Sequence, residues 1–113
     1  MKYAISTPVF SLLNGLVEQD AIVFAASKQI INARLDLSNL TQNTNIREYE
    51  KVDGVNYREL SNKLWPTQFD TGCTGVSFSF TQADAAYKIT LQSTIAEGAD
   101  RSVPTRSTVE SRT

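Results

Sequence analysis

Apolar and polar residues alternate strictly in three stretches of the chain. In "IINARLDLS", Ile31, Ala33, Leu35 and Leu37 interleave with Asn32, Arg34, Asp36 and Ser38. A period of two puts every apolar side chain on one face of a strand. "VSFSF" repeats the device with Val76, Phe78 and Phe80, and "YKITLQ" repeats it with Tyr87, Ile89 and Leu91. The pattern predicts three strands that share a core containing Ile31, Leu35, Leu37, Phe78, Phe80, Ile89 and Leu91. Residues 21–25, "AIVFA", are apolar on both sides and read as a more buried strand or as the end of a preceding helix. That helix is expected over residues 11–20, with Leu12, Leu13, Leu16 and Val17 on one face and Ser11 as its cap. Gly15 opposes it by about 1 kcal/mol relative to Ala, and an extended arm is the alternative.

"NLTQNTN", "WPTQFDTGCTG" and "IAEGADR" separate the predicted strands. Their Thr, Asn, Asp and Gly suit turns, because the side chains bond the local backbone or the backbone tolerates positive φ. Short strands punctuated this way predict an all-β fold, a single small antiparallel sandwich or partly open barrel. Residues 1–20 form an N-terminal arm or short helix in this reading. Residues 21–113 form the β domain, closed by a C-terminal edge strand or tail.

Residues 47–60, "REYEKVDGVNYREL", place a hairpin at Asp53-Gly54, where Gly reaches positive φ cheaply and Asp tolerates the left-handed region. A two-residue turn would set Glu48 against Glu59. A three-residue turn, or a longer loop with the same pairing, sets Glu50 against Arg58 and Tyr49 against Glu59, which cross-strand energetics favour by a few tenths to about 1 kcal/mol. Arg47, Glu48, Glu50, Arg58 and Glu59 then make a solvated, salt-linked surface of the kind that serves solubility and register. Tyr49, Tyr57 and Leu60 add apolar contacts. The functional alternative is a protein interface through Arg47, Tyr49, Glu50, Tyr57 and Arg58, with charge pairing selecting the partner.

Totals narrow the function more than they define it. At 113 residues the chain is about one domain, and a domain this small gains from association with further copies. Eleven basic and twelve acidic residues leave a net charge of −1. That balance lacks the basic stripe that phosphate tracking requires, so nucleic-acid binding is expected to be weak, with Arg47, Arg58, Arg101 and Arg106 as the candidate contacts. No histidine and one cysteine, Cys73, remove His-dependent hydrolysis, Cys-His activation and Cys-based zinc sites. No enzyme activity, catalytic residue, metal or cofactor is therefore expected. "TGCTG" reads as a buried or incidental thiol. "LWPTQFD" reads as Trp65 and Phe69 fixing a loop to the core, a ligand platform being the sharper alternative.

The N-terminal stretch lacks the unbroken apolar centre of a signal peptide or a membrane span. The expected setting is soluble and intracellular, or a particle assembled inside a cell, with no membrane partner. In the tail, Val103 and Val109 suit a last strand that Pro104 would restrict to an edge. Val103 and Pro104 are thus candidate interface residues of an arm that adds to a neighbour's sheet.

Taken together, "LDLSNL", "REYEKVDGVNYREL" and "YKITLQSTIAEGADRSVP" resemble small β-rich proteins of tailed phages and marine viruses. The resemblance covers roughly residues 21–109, with Thr105 standing where a Trp after Pro104 is expected. It implies a non-enzymatic virion or assembly component, repeated as a homo-oligomer or bound to other virion proteins. The order of elements also looks like the Sm-like fold, a short N-terminal helix before a small bent barrel, which implies an oligomeric ring that binds single-stranded RNA. Residues 3–20 and 101–110 are the expected swapped or edge-pairing arms.

Overall fold

Nine strands and no helix make up residues 3–112, the residues that the computed structural model describes. Met1 and Lys2 of the expected arm and Thr113 of the expected tail lie outside the described residues. The strands are β1 (Tyr3–Ser6), β2 (Val9–Leu12), β3 (Gln19–Phe24), β4 (Gln29–Asp36), β5 (Thr44–Glu50), β6 (Arg58–Trp65), β7 (Gly75–Thr81), β8 (Tyr87–Ser93) and β9 (Arg101–Ser111). They form two antiparallel sheets packed face to face. The first runs β1-β9-β4-β7, with β2 also paired to β9, and the second runs β3-β8-β5-β6. Because no ladder among the described residues joins one sheet to the other, the fold is a sandwich and not a closed barrel.

The period-two patterns lie where the core is. Ile31, Ala33, Leu35 and Leu37 are buried, as are Tyr87, Ile89 and Leu91. They meet across the sandwich with Leu12, Ile46 and Val103. Phe78 and Phe80 are only half-buried, because β7 is an edge strand and one flank of each ring is open. The Phe80 ring still lies on the Tyr87 ring, with centroids 4.0 Å apart. At the loop after β6, Trp65 is buried and donates its indole N–H to the Cys73 carbonyl at 2.9 Å, while Phe69 packs against the core. The Cys73 thiol is half-buried and donates to the Gly75 carbonyl.

Three expectations fail for identifiable reasons. The helix over residues 11–20 does not form: Leu12 ends β2 and is buried, while Leu13, Leu16 and Val17 are exposed, so the apparent apolar face is split between core and solvent. The chain follows the extended alternative, and with the helix goes the element order that suggested an Sm-like fold. Residues 21–25 are not a more buried strand. They lie on or beside β3, an edge of the second sheet, where Val23 is exposed. Nor is β9 an edge or a tail, since it lies between β1 and β2 on one side and β4 on the other. Its inward face carries Val103, Thr105 and Ser107, all buried, so hydroxyls replace the hydrophobic signal that a central strand normally gives. Thr105 is satisfied by the Pro8 carbonyl, which accepts from its hydroxyl at 2.7 Å and its N–H at 3.0 Å. Pro104 is tolerated because the β4 ladder extends only to Thr105, leaving no β4 acceptor in need of an N–H from residue 104.

Candidate functional site

The hairpin forms with the register that charge favours: Tyr49 lies opposite Glu59 and Glu50 opposite Arg58. Its loop is the longer one. Gly54, at φ 81°, donates to the Lys51 carbonyl at 2.8 Å, and Asp53 accepts from the N–H groups of Val55 and Asn56 at 2.8 and 2.7 Å. Those two N–H groups hold the Asp53 carboxyl at about 2. Arg58 turns to Asp53 at 3.3 Å rather than to Glu50. Glu48 leaves the expected solvated surface altogether. It points inward, accepting from the buried Tyr87 hydroxyl and from Ser61, each at 2.5 Å. Burial, reinforced by that bond to Glu48, pushes the Tyr87 hydroxyl well up.

The outward face of the second sheet uses its polar groups on itself. Glu18, carried across the sheet just before β3, accepts from Tyr49 at 2.6 Å and from Thr90 at 2.5 Å. Arg47 lies 3.6 Å from Glu18 and 3.2 Å from Glu59, and donates to Gln92 at 2.6 Å. Lys88 pairs with Asp20 at 3.0 Å and sits 4.4 Å from the centre of the Tyr57 ring. Burial alone would raise the Glu18 carboxyl. The bonds from Thr90 and Tyr49 and the charges of Arg47 and Lys88 outweigh it and hold the group below its ordinary 4.5. Burial and then the bond to Glu18 push the Tyr49 hydroxyl up to about 12.

This arrangement changes the standing of the residues expected to meet a partner. Arg47, Tyr49, Tyr57 and Arg58 are engaged within the chain, Val103 is fully buried and Pro104 is half-buried beside Val9 of β2. Glu50 is half-buried at the hairpin end of β5. The four arginines proposed for nucleic acid do not come together. Arg47 is on the second sheet, Arg58 on the hairpin, and Arg101 is tied to Glu97 at 3.2 Å. Arg106 is on the outward face of the first sheet, opposite Arg34 and away from the other three. Among the described residues no group of three or more His, Cys, Asp or Glu could hold a metal, and no helix is long and apolar enough to cross a membrane.

Sequence reasoning missed the open side of the sandwich, where β1 of one sheet faces β3 of the other. An apolar groove of about 350 Å³ lies there, lined in part by Ile5, Pro8, Ile22, Val23, Phe24 and Val109. Ile5, Val9 and Val23 are 51%, 64% and 55% exposed, so the groove is the middle of a larger apolar surface. Two of the other edges are protected. β6 carries Arg58, Glu59 and Lys63 and is bulged at Leu60, and the β1–β2 edge is broken at Thr7-Pro8, whereas β7, with Ser alternating with Phe, has no charge, bulge or proline but lies away from the groove. Charge, bulges and proline all discourage strand addition. β3 has an irregularity of its own between Asp20 and Ile22, but its end, Ile22–Val23–Phe24, has none of these guards.

No protein-family model matches the chain, and no curated protein is similar to it in sequence. Among solved structures it is similar to a protein of Bacillus endospore appendages, described as a novel family of disulfide-linked pili. The TM-score is 0.63 at 15% identity, over 98% of this chain and 89% of that one. At that identity the likeness is one of fold.

Proposed function

We propose that this chain is a non-enzymatic structural subunit that joins further copies of itself at the β3 edge. The observation that carries the reading is the unguarded end of β3 beside the apolar groove, with Val23 exposed at its rim. An extended segment of a second copy would continue the β3-β8-β5-β6 sheet through main-chain hydrogen bonds and bury its alternate side chains in the groove. Because β3 would meet a different surface of its neighbour, the contact is head-to-tail and can propagate into a ring or a fibre. The likeness in fold to a pilus protein supports an assembling subunit. In a virion, as the sequence resemblance implies, or in an appendage, the joint is the same.

The covalent chemistry differs from that of disulfide-linked pili. The 113 residues hold one cysteine, and one thiol per subunit links copies only in pairs. Propagation in this chain therefore rests on sheet edges and apolar burial. Light scattering of the chain at tens of micromolar, an ordinary range for mass-action assembly, tests this. The expected result is oligomers for the native chain, monomers for Val23→Lys, and unchanged oligomers for Leu60→Lys on the opposite edge, with circular dichroism confirming the fold of each. A monomeric native chain, or assembly lost with Leu60→Lys and kept with Val23→Lys, overturns the reading.

A further inference from the structure

On the outward face of the first sheet, Arg34 of β4 lies directly opposite Arg106 of β9. Directly opposed side chains in an antiparallel pair have Cβ atoms about 4.5–5.5 Å apart, and like charges so placed repel. Arg47, Arg58 and Arg101 each meet a carboxylate and Arg112 donates to the Gln82 carbonyl, but no carboxylate among the described residues reaches this pair. Asp36, on the same face of β4, is turned to the Ser38 N–H at 3.0 Å. Arg34 and Arg106, with Asn32 and Thr108, line a polar pocket of about 250 Å³, several times the roughly 30 Å³ that a water occupies.

The floor of this pocket is oriented for donation. Asn32 lies opposite Thr108 in the same ladder. Its carbonyl oxygen already accepts from the Ser79 hydroxyl of β7 at 2.8 Å, so its amide nitrogen is the end left to the pocket. Two guanidinium forks, one amide N–H₂ and the Thr108 hydroxyl, which can also donate, then line the pocket with no carboxylate among them. A carboxylate would balance one of the two positive charges. A phosphate dianion balances both and offers enough oxygens for two forks and the amide.

We propose that Asn32, Arg34, Arg106 and Thr108 form a binding site for a single phosphate group, free or carried as a monoester. The site is on the opposite sheet from the β3 edge and does not depend on the assembly reading.

Thermal unfolding of the full chain tests it, with phosphate exchanged for chloride at constant ionic strength and neutral pH. Phosphate also stabilises proteins generally by exclusion from their surface, and that part rises steadily with concentration. A bound phosphate adds a saturable part that follows the logarithm of one plus ligand over dissociation constant. The expected result is half-saturation in the millimolar range, with Arg34→Gln and Arg106→Gln each weakening it at least tenfold. The double variant should retain only the steady part. Glycerol phosphate separates the sources: saturation equal to that of inorganic phosphate supports a monoester on a larger molecule, and saturation by inorganic phosphate alone supports the free ion. A saturable response that survives in the double variant, no saturable response at all, or equal saturation by acetate overturns the proposal.

Discussion

On the second sheet Arg47 stands between two carboxylates, Glu59 at 3.2 Å and Glu18 at 3.6 Å, whereas on the first sheet Arg34 faces Arg106 and no carboxylate reaches either among the described residues. Both faces look outward from the same sandwich, and each sets arginine beside an amide and a threonine hydroxyl. What differs is completeness. Glu18 collects two hydroxyls and a guanidinium and helps close residues 13–18 over Thr90, which is buried although it faces away from the core. Polar groups whose partners are all internal fix a conformation. A pair of like charges left together without an internal partner slightly opposes folding, and its chemistry is directed outward.

The contrast runs along β9 itself, where Arg101 is answered and Arg106 is not. Glu97, its side chain fully buried, receives the Thr41 N–H at 2.9 Å, the Thr41 hydroxyl at 2.8 Å and the Gln42 N–H at 2.9 Å, with Arg101 at 3.2 Å. It latches the loop after β4 to the loop before β9. The largest effect is expected here. Glu97→Ala strands three donors and a half-buried guanidinium, and should cost about 3 kcal/mol, the lower end for breaking a buried pair. Denaturant unfolding checks it. A cost below about 0.5 kcal/mol, the usual size of a surface substitution, would show that water replaces the carboxylate and would erase the distinction between Arg101 and Arg106.

Acid sharpens the same comparison. Burial would raise the Glu97 carboxyl, but the Thr41 and Gln42 bonds and Arg101 together hold it below its ordinary 4.5, as the bonds to Thr90 and Tyr49 do for Glu18. A carboxylate whose folded pKa is depressed contributes stability that is present above its unfolded pKa and is lost as pH falls through the folded one. Stability should therefore hold above about pH 4.5 and decline below it. In Glu18→Gln the decline should be shallower, by the share that this group contributes. Melting temperatures from pH 2 to 7 give the comparison, and parallel acid limbs in native chain and variant would remove Glu18 from the account.

How much of this was legible follows from where each partner sits in the chain. β4, β7 and β8 could be read because their inward residues are apolar and alternate, and the hairpin register because its charges lie within fourteen residues. β9 was misplaced because its inward positions are Thr105 and Ser107, which carry no hydrophobic period. The false helix arose because Leu12 is buried while Leu13, Leu16 and Val17 face solvent, a division that only strand pairing imposes. Glu18 and Glu97 reach partners 72 and 56 positions away, and nothing local marks either as more than an ordinary acid. Arg34 and Arg106 become a pair only once β9 is known to lie beside β4.

The smallest effect has the most diagnostic sign. If Arg34 and Arg106 are held together by the ladder alone, replacing either by glutamine removes a repulsion while keeping a polar, hydrogen-bonding side chain. In chloride without phosphate the chain should then gain a few tenths of a kcal/mol and at most about 1, the scale of a directly opposed pair, and the gain should shrink as salt screens the repulsion. Arg47→Gln, the matched change on the other sheet, should instead destabilise, because Glu18 and Glu59 lose their common cation. Chemical denaturation of both variants at low and high salt measures the two signs side by side. Opposite signs would establish that the two faces differ in electrostatic completeness. A loss of stability in Arg34→Gln would mean that the arginine pair already has a role in holding the first sheet together, and that its charge is not waiting for a ligand.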